Sequence, residues 1–498
     1  MPTQTQTLTA GFADQVMQSQ QVFRSILDSL SNPSRKVVAG SIFVALPGTK
    51  AHGGDFVLEA LGKGAVAVVS QTEVPRGGGV GVLVSDARRA LAELAVAYFD
   101  RPAEALRIAG ITGTNGKTTT AFLIQHICDT AMLRCGMLGT VHYQIGDKIL
   151  PAARTTPDAL EVQAMLAQMR DAGCKSAVLE VSSHAIVQQR VRGVDFDAAV
   201  FTNLTQDHLD YHGSMDAYFE AKAGFMTGLD QQRFKVGTAI VNVDDRFGAQ
   251  LYDRLQQGGI KTIPFGLGAR AEFRASNCRT DLHGSSFQLD ATGRSWLVRL
   301  PLIGMFNISN ALAAIAATHA MGVDVRTAVL ALAQAPAVPG RMQAIPGKRS
   351  FRVFVDYAHT EDALRNALRT LRDLQPNRII TVFGCGGDRD NTKRPLMGAA
   401  AEAGSDWCII TSDNPRSESP SLIAQNIVSG MRRNNFEVEL DRKKAIALAI
   451  ELAGPRDIVL IAGKGHEITQ ETAGRMEPFD DVAIATSAVE NRQSDFGR

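Results

Sequence analysis

Neither sign of charge is in excess: 52 Lys and Arg stand against 51 Asp and Glu, for a formal net charge of +1 at pH 7. Such a total gives no general attraction to nucleic acid or to an anionic membrane, though it leaves room for a local basic pocket. Cysteine is scarce and unpaired. The six residues, Cys128, Cys135, Cys174, Cys278, Cys385 and Cys408, include no Cys-x-x-Cys pair. That spacing argues against a zinc site or a disulfide framework and fits a reducing cytoplasm. No apolar run approaches the roughly 20 residues of a membrane helix. The opening MPTQTQTLTAGFADQ lacks both the basic start and the apolar stretch of a signal peptide. Short internal repeats and low-complexity tracts are missing too, and a cytoplasmic protein without a membrane partner is expected.

What is present is an ordinary globular balance, 45% hydrophobic and 21% charged residues. A chain of 498 residues is too long for one core, and about three domains are expected. Short apolar strands at Ser41–Leu46 and Ala65–Ser70 precede a helix over Ser85–Asp100, and Arg101-Pro102 punctuates the chain. From Leu106 the pattern is strand, loop, helix in repetition, with buried-type strands at Arg107–Ile111, Ser176–Val181, Ala198–Asn203 and Thr238–Asn242. Period-two alternation over Phe273–Leu302 predicts an antiparallel meander, and a helix follows over Ile308–Met321. The Pro- and Gly-rich stretch Gln334–Lys348 marks a second boundary. Beyond it, strands near Arg352–Asp356, Arg378–Phe383, Trp407–Thr411 and Asp457–Ile461 alternate with helices as in a doubly wound unit. The expected division is 1–102, 103–337 and 338–498.

The segment from Gly110 to Thr120 carries the sharpest chemical signal. It leaves an apolar strand and enters a helix expected over Ala121–Asp129. Glycines let consecutive backbone N–H groups turn toward phosphate oxygens, and the helix N-terminus adds partial positive charge. Lys117 can reach terminal phosphates, and the Thr118 hydroxyl can ligate Mg²⁺. The usual spacing is not met, because Gly110 lies one position too far from Gly116. Gly113-Thr114-Asn115-Gly116-Lys117-Thr118-Thr119 is nevertheless dense enough to read as an ATP-phosphate loop rather than an incidental turn.

Glu180 closes the strand Ser176–Val181, where a carboxylate can hold Mg²⁺; alone it would read as a surface residue. Asp207, His208 and Asp210 follow the next strand. Lys222, in a helix expected over Ala217–Met226, is on plain chemistry a solvated helix lysine.

Four segments in order, Gly-x-Thr-Gly-Thr-Asn-Gly-Lys-Thr, Glu-Val-Ser-Ser-His, Thr-Asn-Leu-x-x-Asp-His-Leu-Asp-Tyr-His and Gly-x-Phe-Asn-x-x-Asn, resemble the Mur ligases, ATP-dependent amide-forming enzymes of peptidoglycan precursor synthesis. The resemblance runs from about Ser34 to Phe479 and includes the displaced glycine. It implies an α/β fold of three domains: a small α/β uridine-nucleotide domain, a central P-loop ATPase-type domain with a mostly parallel sheet, and a C-terminal Rossmann-like domain.

Within the family, the chain resembles members that add a third residue to UDP-N-acetylmuramoyl-L-alanyl-D-glutamate (UDP-MurNAc-L-Ala-D-Glu). The resemblance then implies contacts to that nucleotide from Asn32, Ser34, Thr49, Lys50, Ala51, Thr155, Thr156, Ser182, Gln188 and Arg190. Pro33 before Ser34-Arg35, and His52, depart from the family pattern. Asp413-Asn414-Pro415-Arg416 is typical of members that take meso-diaminopimelate in place of L-lysine. A guanidinium can hold that substrate's second carboxylate and would repel the lysine ammonium. Arg389, Gly463 and Glu467 are implied to complete the amino-acid pocket, with Glu467 pairing a substrate ammonium. Further implied roles are Asn307 and Asn310 at the adenine, and Arg341 and Asp356 at phosphate and ribose. Thr118, Glu180, His208 and a carbamylated Lys222 would hold metal, and Lys117 would act at the phosphates. A monomer is expected. The rivals are a lysine-adding relative, a folylpolyglutamate synthetase-like ligase, and a nucleotide-gated switch that needs the loop alone.

Overall fold

The computed structural model describes residues 6–7, 37–48, 52–74, 79–347 and 349–492. Asn32, Ser34, Thr49, Lys50 and Ala51 lie outside the described residues. The chain divides into two compact units: 1–112, 132–199 and 221–239 form the first, and 113–131, 200–220 and 240–498 the second.

In the first unit, four parallel strands run in the order Gln6–Thr7, Val80–Leu83, Ala67–Ser70, Ile42–Val44. Val69 and Val82 pack on the helix Ala87–Tyr98 against Ala87, Ala90 and Leu91. Asp86 starts that helix by accepting from the Arg88 and Arg89 amides, a cap worth about 1 kcal/mol. The same unit carries the parallel strands Arg107–Thr112, Ser176–Glu180 and Cys135–Leu138, extended by antiparallel strands His142–Ile145 and Lys148–Pro151. Gly110 belongs to the first of these strands rather than to a loop. A Cβ there would come within 2.6 Å of Phe196 and 2.7 Å of Phe225, so the displaced glycine is a packing residue between two rings.

In the second unit, the predicted meander is three antiparallel strands, Phe273–Asp281, Gly284–Ala291 and Arg294–Leu300. The helix Met305–Ala320 is buried over most of its length by alanines that permit close approach. A six-stranded sheet follows, in the order Gln343–Ala344, Arg352–Asp356, Ile458–Ala462, Ile379–Phe383, Trp407–Ile410, Phe436–Val438. Only its first pair is antiparallel. Ile458–Ala462, the last of these six in sequence, thus inserts between Arg352–Asp356 and Ile379–Phe383. Aliphatic clusters cover both faces, around Phe354, Leu368 and Phe383 on one and Val355, Ile446 and Ile461 on the other. In such sheets the loops at the carboxyl ends of the strands are free to carry chemistry. All six cysteines are free. Among the described residues, no helix is long and apolar enough to cross a membrane.

Candidate functional site

The phosphate loop in the second unit is short. Strand Arg107–Thr112 ends before Gly113, and the helix runs Lys117–Thr130, four residues earlier than its apolar periodicity predicts. Gly113 and Gly116 have φ of +141° and +88°, conformations open to glycine at little cost. Both also meet other residues closely: a Cβ on Gly113 would lie 1.9 Å from Thr202 Oγ1, and one on Gly116 2.4 Å from Asn310 Oδ1. Not every loop amide is held ready for an anion. Thr114 N donates to Asn203 O at 2.9 Å and Asn115 N to Asn203 Oδ1 at 2.9 Å. Gly116 offers the helix no capping side chain, and the N-terminus carries the partial positive charge of the helix dipole. Lys117 Nζ folds onto its own loop, donating to Gly113 O at 2.9 Å and Thr114 O at 2.8 Å.

Residues distant in sequence close on this loop. Arg341 Nη2 donates to Thr118 Oγ1 at 3.0 Å, and its guanidinium lies 4.5 Å over the Tyr357 ring. Asn115 Nδ2 donates to Asp362 Oδ2 at 3.0 Å. Asn310 Nδ2 donates to Asn307 Oδ1 at 3.1 Å, and Asn307 Nδ2 to Ile303 O at 2.8 Å, so both asparagines are buried and bonded. Asp356 Oδ2 accepts from Met342 N at 2.6 Å. Burial pushes the Asp356 carboxyl up against the opposing pull of Arg341. His208 has φ +53° and is half exposed, with Nε2 3.4 Å from Asp207 Oδ2.

The first unit gathers a polar network around Glu180, which is 1% exposed. This is not the surface carboxylate that Glu180 alone would suggest. Its Oε1 accepts from Thr140 N at 2.8 Å and its Oε2 from Thr140 Oγ1 at 3.0 Å. Thr140 Oγ1 also lies 3.1 Å from Thr155 Oγ1. Thr156 Oγ1 bonds Glu180 O at 2.8 Å and accepts from Ser182 N at 3.1 Å. Arg190 completes the chain of contacts, reaching Thr156 O at 2.9 Å and Gln188 Oε1 at 2.7 Å. Every described residue predicted for the dipeptide nucleotide from Thr155 to Arg190 therefore joins one network, and Thr140 is its unpredicted centre. Lys222 is corrected by the structure. It is 1% exposed, not solvated, with Nζ 3.5 Å from Thr112 Oγ1.

The second unit also carries the residues that the sequence predicts for the amino acid, all past the carboxyl ends of strands. Asp413 and Asn414 are buried just past Trp407–Ile410. Gly463 follows Ile458–Ala462 and donates its N–H to Asp356 O at 3.1 Å. Asn414 Nδ2 donates to Glu467 Oε2 at 2.8 Å. Arg416, at φ +53°, is held by backbone bonds to the hairpin of Thr469–Thr472 and Arg475–Pro478: its N donates to Glu471 O at 3.0 Å and its O accepts from Ala473 N at 2.6 Å. Its guanidinium donates to Gly387 O at 2.6 Å and lies 3.5 Å from Glu471 Oε2. Gly387 N in turn bonds Asn414 O at 2.9 Å, which ties the loop of exposed Arg389 to the segment of Pro415. Burial pushes the Asp413 carboxyl up, opposed by the Arg442 and Lys464 charges.

Among the described residues, no three of His, Cys, Asp or Glu come together as a metal-holding group. The first unit offers the buried Glu180 carboxylate, and the second the Thr118 hydroxyl and the His208 imidazole. A carboxylate and a hydroxyl are oxygen donors of the kind Mg²⁺ takes, its shell being filled by water and substrate phosphates.

Three family descriptions match the chain in order: "Mur ligase family, catalytic domain" over 28–99, "Mur ligase middle domain" over 111–318 and "Mur ligase, glutamate ligase domain" over 340–465. The UDP-N-acetylmuramoyl-L-alanyl-D-glutamate–2,6-diaminopimelate ligase of Syntrophomonas wolfei is 41% identical over 94% of this chain and 95% of its own. The ligase of the same name from Geobacillus kaustophilus is 44% identical over 93% and 95%. A solved structure of a ligase of that name superposes with a TM-score of 0.66 at 37% identity, covering 92% of this chain and 94% of that one. The MurF ligase of Thermotoga maritima, solved with ADP, shares the fold at a TM-score of 0.61 and 19% identity over 94% and 97%. The folylpolyglutamate synthase of Mycobacterium tuberculosis does so at 0.64 and 18% over 82% and 96%. The match to relatives over 40% identical along nearly the full length makes the conclusion plain: this chain belongs to the Mur ligase family.

Proposed function

We infer that this protein is an ATP-dependent ligase that joins meso-2,6-diaminopimelate to the D-glutamate γ-carboxylate of UDP-MurNAc-L-Ala-D-Glu, a step of peptidoglycan precursor synthesis. The observation that carries this reading is that two side chains of opposite charge are held by one hydrogen-bonded set of loops. Arg416 supplies a guanidinium and Glu467 a carboxylate; Asn414 bonds Glu467 through its side chain and connects to Arg416 through Gly387. An amino acid with a distal carboxylate and a distal ammonium matches that pair of charges, and one with a distal ammonium alone does not. We assign the reaction to a monomer in the cytoplasm.

In the first step a γ-carboxylate oxygen attacks the terminal phosphorus of ATP, and ADP leaves. Two anions must meet, so the first-turn amides, Lys117 and Arg341 lower the barrier by neutralising the triphosphate. Lys117 exchanges its bonds to Gly113 and Thr114 for phosphate oxygens. In the second step the amine of diaminopimelate attacks the acyl carbon and loses a proton, and phosphate leaves as the amide forms. Thr155, Thr156, Ser182, Gln188 and Arg190 hold the acceptor nucleotide. Asn307 and Asn310 bound the adenine site, and Asp356 the ribose. Thr118, Glu180, His208 and a carbamylated Lys222 would hold Mg²⁺, which when bound offsets phosphate charge.

The test is ADP release and product formation with ATP, Mg²⁺, the muramoyl-dipeptide nucleotide and each candidate amino acid in turn. Product is expected with meso-diaminopimelate and not with L-lysine. Lys117→Ala should abolish turnover, and Arg416→Ala should raise the KM for diaminopimelate about tenfold or more while the KM for ATP stays within about twofold. Product with L-lysine in place of diaminopimelate points to the lysine-adding relative. Nucleotide binding without turnover points to a switch. Either result overturns the reading.

A further inference from the structure

Lys464 plays no part in the steps above, yet its side chain is completely buried. An ammonium removed from water costs several kcal/mol unless partners compensate it, so its partners explain its position. Nζ donates to Asn414 Oδ1 at 3.0 Å and to Glu467 Oε2 at 3.1 Å. Asn414 Nδ2 donates to that same Oε2 at 2.8 Å, closing a ring of three side chains. Two of the three are residues of the amino-acid pocket in the reading given above.

We propose that Lys464 is a positioning residue for amino-acid recognition, fixing Asn414 and Glu467 so that Glu467 Oε1 is presented to an ammonium of the incoming diamino acid. The inference rests on the ligase reading and adds to it the group that orients the carboxylate.

Three observations support it. Among the described residues, both hydrogen bonds to the Glu467 carboxylate fall on Oε2, which orients the group and leaves Oε1 for a cation. The electrostatics agree: burial pushes the Glu467 carboxyl up, but the Lys464 charge and the bonds from Lys464 and Asn414 more than offset it. The carboxyl therefore sits below its ordinary range and stays anionic at neutral pH. Finally, the task of tying the strand ends together belongs to another cation. Arg442 Nη2 donates to Ala462 O at 3.0 Å and Nη1 to Ser412 O at 3.4 Å, while its Nε and Nη2 bind Asp481 at 2.8 and 2.7 Å. With the ends of both strands already anchored by Arg442, the Lys464 ammonium bonds, among the described residues, to Asn414 and Glu467.

The experiment compares full-length wild type with Lys464→Met, which keeps the length and loses the charge, and Lys464→Arg, which keeps the charge. ADP release is measured from pH 6.5 to 8.5 while diaminopimelate and ATP are varied separately, and thermal melting reports folding. Lys464→Met should raise the KM for diaminopimelate about tenfold, leave that for ATP within about twofold, and grow worse as pH falls, because an unpaired Glu467 protonates more readily. Lys464→Arg should lie between the two. In a Glu467→Gln background, Lys464→Met should add little, since both changes remove one interaction. An unchanged KM for diaminopimelate, or equal rises for diaminopimelate and ATP, overturns the proposal. If Lys464→Met does not fold, Lys464→Arg decides by the same split: a rise for diaminopimelate alone supports it, and none at any pH overturns it. Wild type that releases no ADP with diaminopimelate would instead sink the ligase reading itself.

Discussion

Thr140 holds Glu180 by two bonds, one from its amide and one from its hydroxyl, and the hydroxyl also reaches Thr155. Thr140→Val removes the hydroxyl bond and keeps the amide bond. A hydrogen bond to a charged group contributes about 1.5–3 kcal/mol, so kcat should fall about tenfold or more while the melting temperature moves by only a few degrees. Steady-state rates alongside a melting curve check this, and an unaltered kcat would remove Thr140 from the set of residues that orient Glu180. Nothing in the sequence marks this threonine: it belongs to no motif and stands 40 residues from its partner. Lys222 was hidden for a different reason. Helical periodicity identifies a helix, but a lysine on it reads as solvated until the packing around that face is known, and here the packing buries it. The loop residues Gly113–Thr119 and the tetrapeptide Asp413–Arg416 could be singled out from the sequence because the chemistry proposed for each depends on neighbours in sequence.

Two loops at the ends of adjacent strands behave as one element. Gly387 N bonds Asn414 O, Arg416 bonds Gly387 O, and buried Arg394 joins Glu418 at 2.8 Å. There is no room between them: a Cβ on Gly387 would lie 1.9 Å from Pro415 O. Gly387→Ala must push the Asp413–Arg416 segment away, at a cost of about 1–3 kcal/mol. The expected result is a several-fold higher KM for diaminopimelate, with ATP nearly unaffected. Equal KM values for mutant and wild type would show the two loops to be independent. Among whole elements, the buried strands were the most legible, and Thr238–Asn242 and Arg352–Asp356 fall where the apolar runs predict. The hairpins were not. Lys148–Pro151 and Arg475–Pro478 are exposed at every position, so no face is buried and no alternation is imprinted. The helix after the phosphate loop was foreseen four residues late, because its first turn, Lys-Thr-Thr-Thr, is polar although Thr118, Thr119 and Thr120 are buried.

At the scale of the whole molecule, His359 contributes a pH dependence to stability whose direction its burial sets. Burial, and next the Lys393 charge, hold its imidazole below the ordinary range; Nδ1 lies 2.9 Å from Tyr357 O. Above about pH 6.5 the ring is neutral folded or unfolded, and this contribution is complete. Below it, the unfolded chain takes up a proton that the native state refuses, so stability falls as pH falls until the native ring also titrates. Melting curves from pH 7.5 to 5.5 should show a steeper decline for wild type than for His359→Gln; parallel declines would contradict this. The broad plan of alternating strands and helices was readable from one chain because aliphatic runs record burial directly. Which distant loops meet was not, since that depends on strand order, and Ile458–Ala462 inserting between earlier strands leaves no local trace. That insertion has a lasting consequence. Asp356, Arg389, Arg416 and Glu467 hang from the ends of four neighbouring strands whose own side chains face aliphatic packing. On the ligase reading, substrate preference and architectural integrity are therefore written in separate stretches of the polypeptide, and lineages can revise the former while inheriting the latter unchanged.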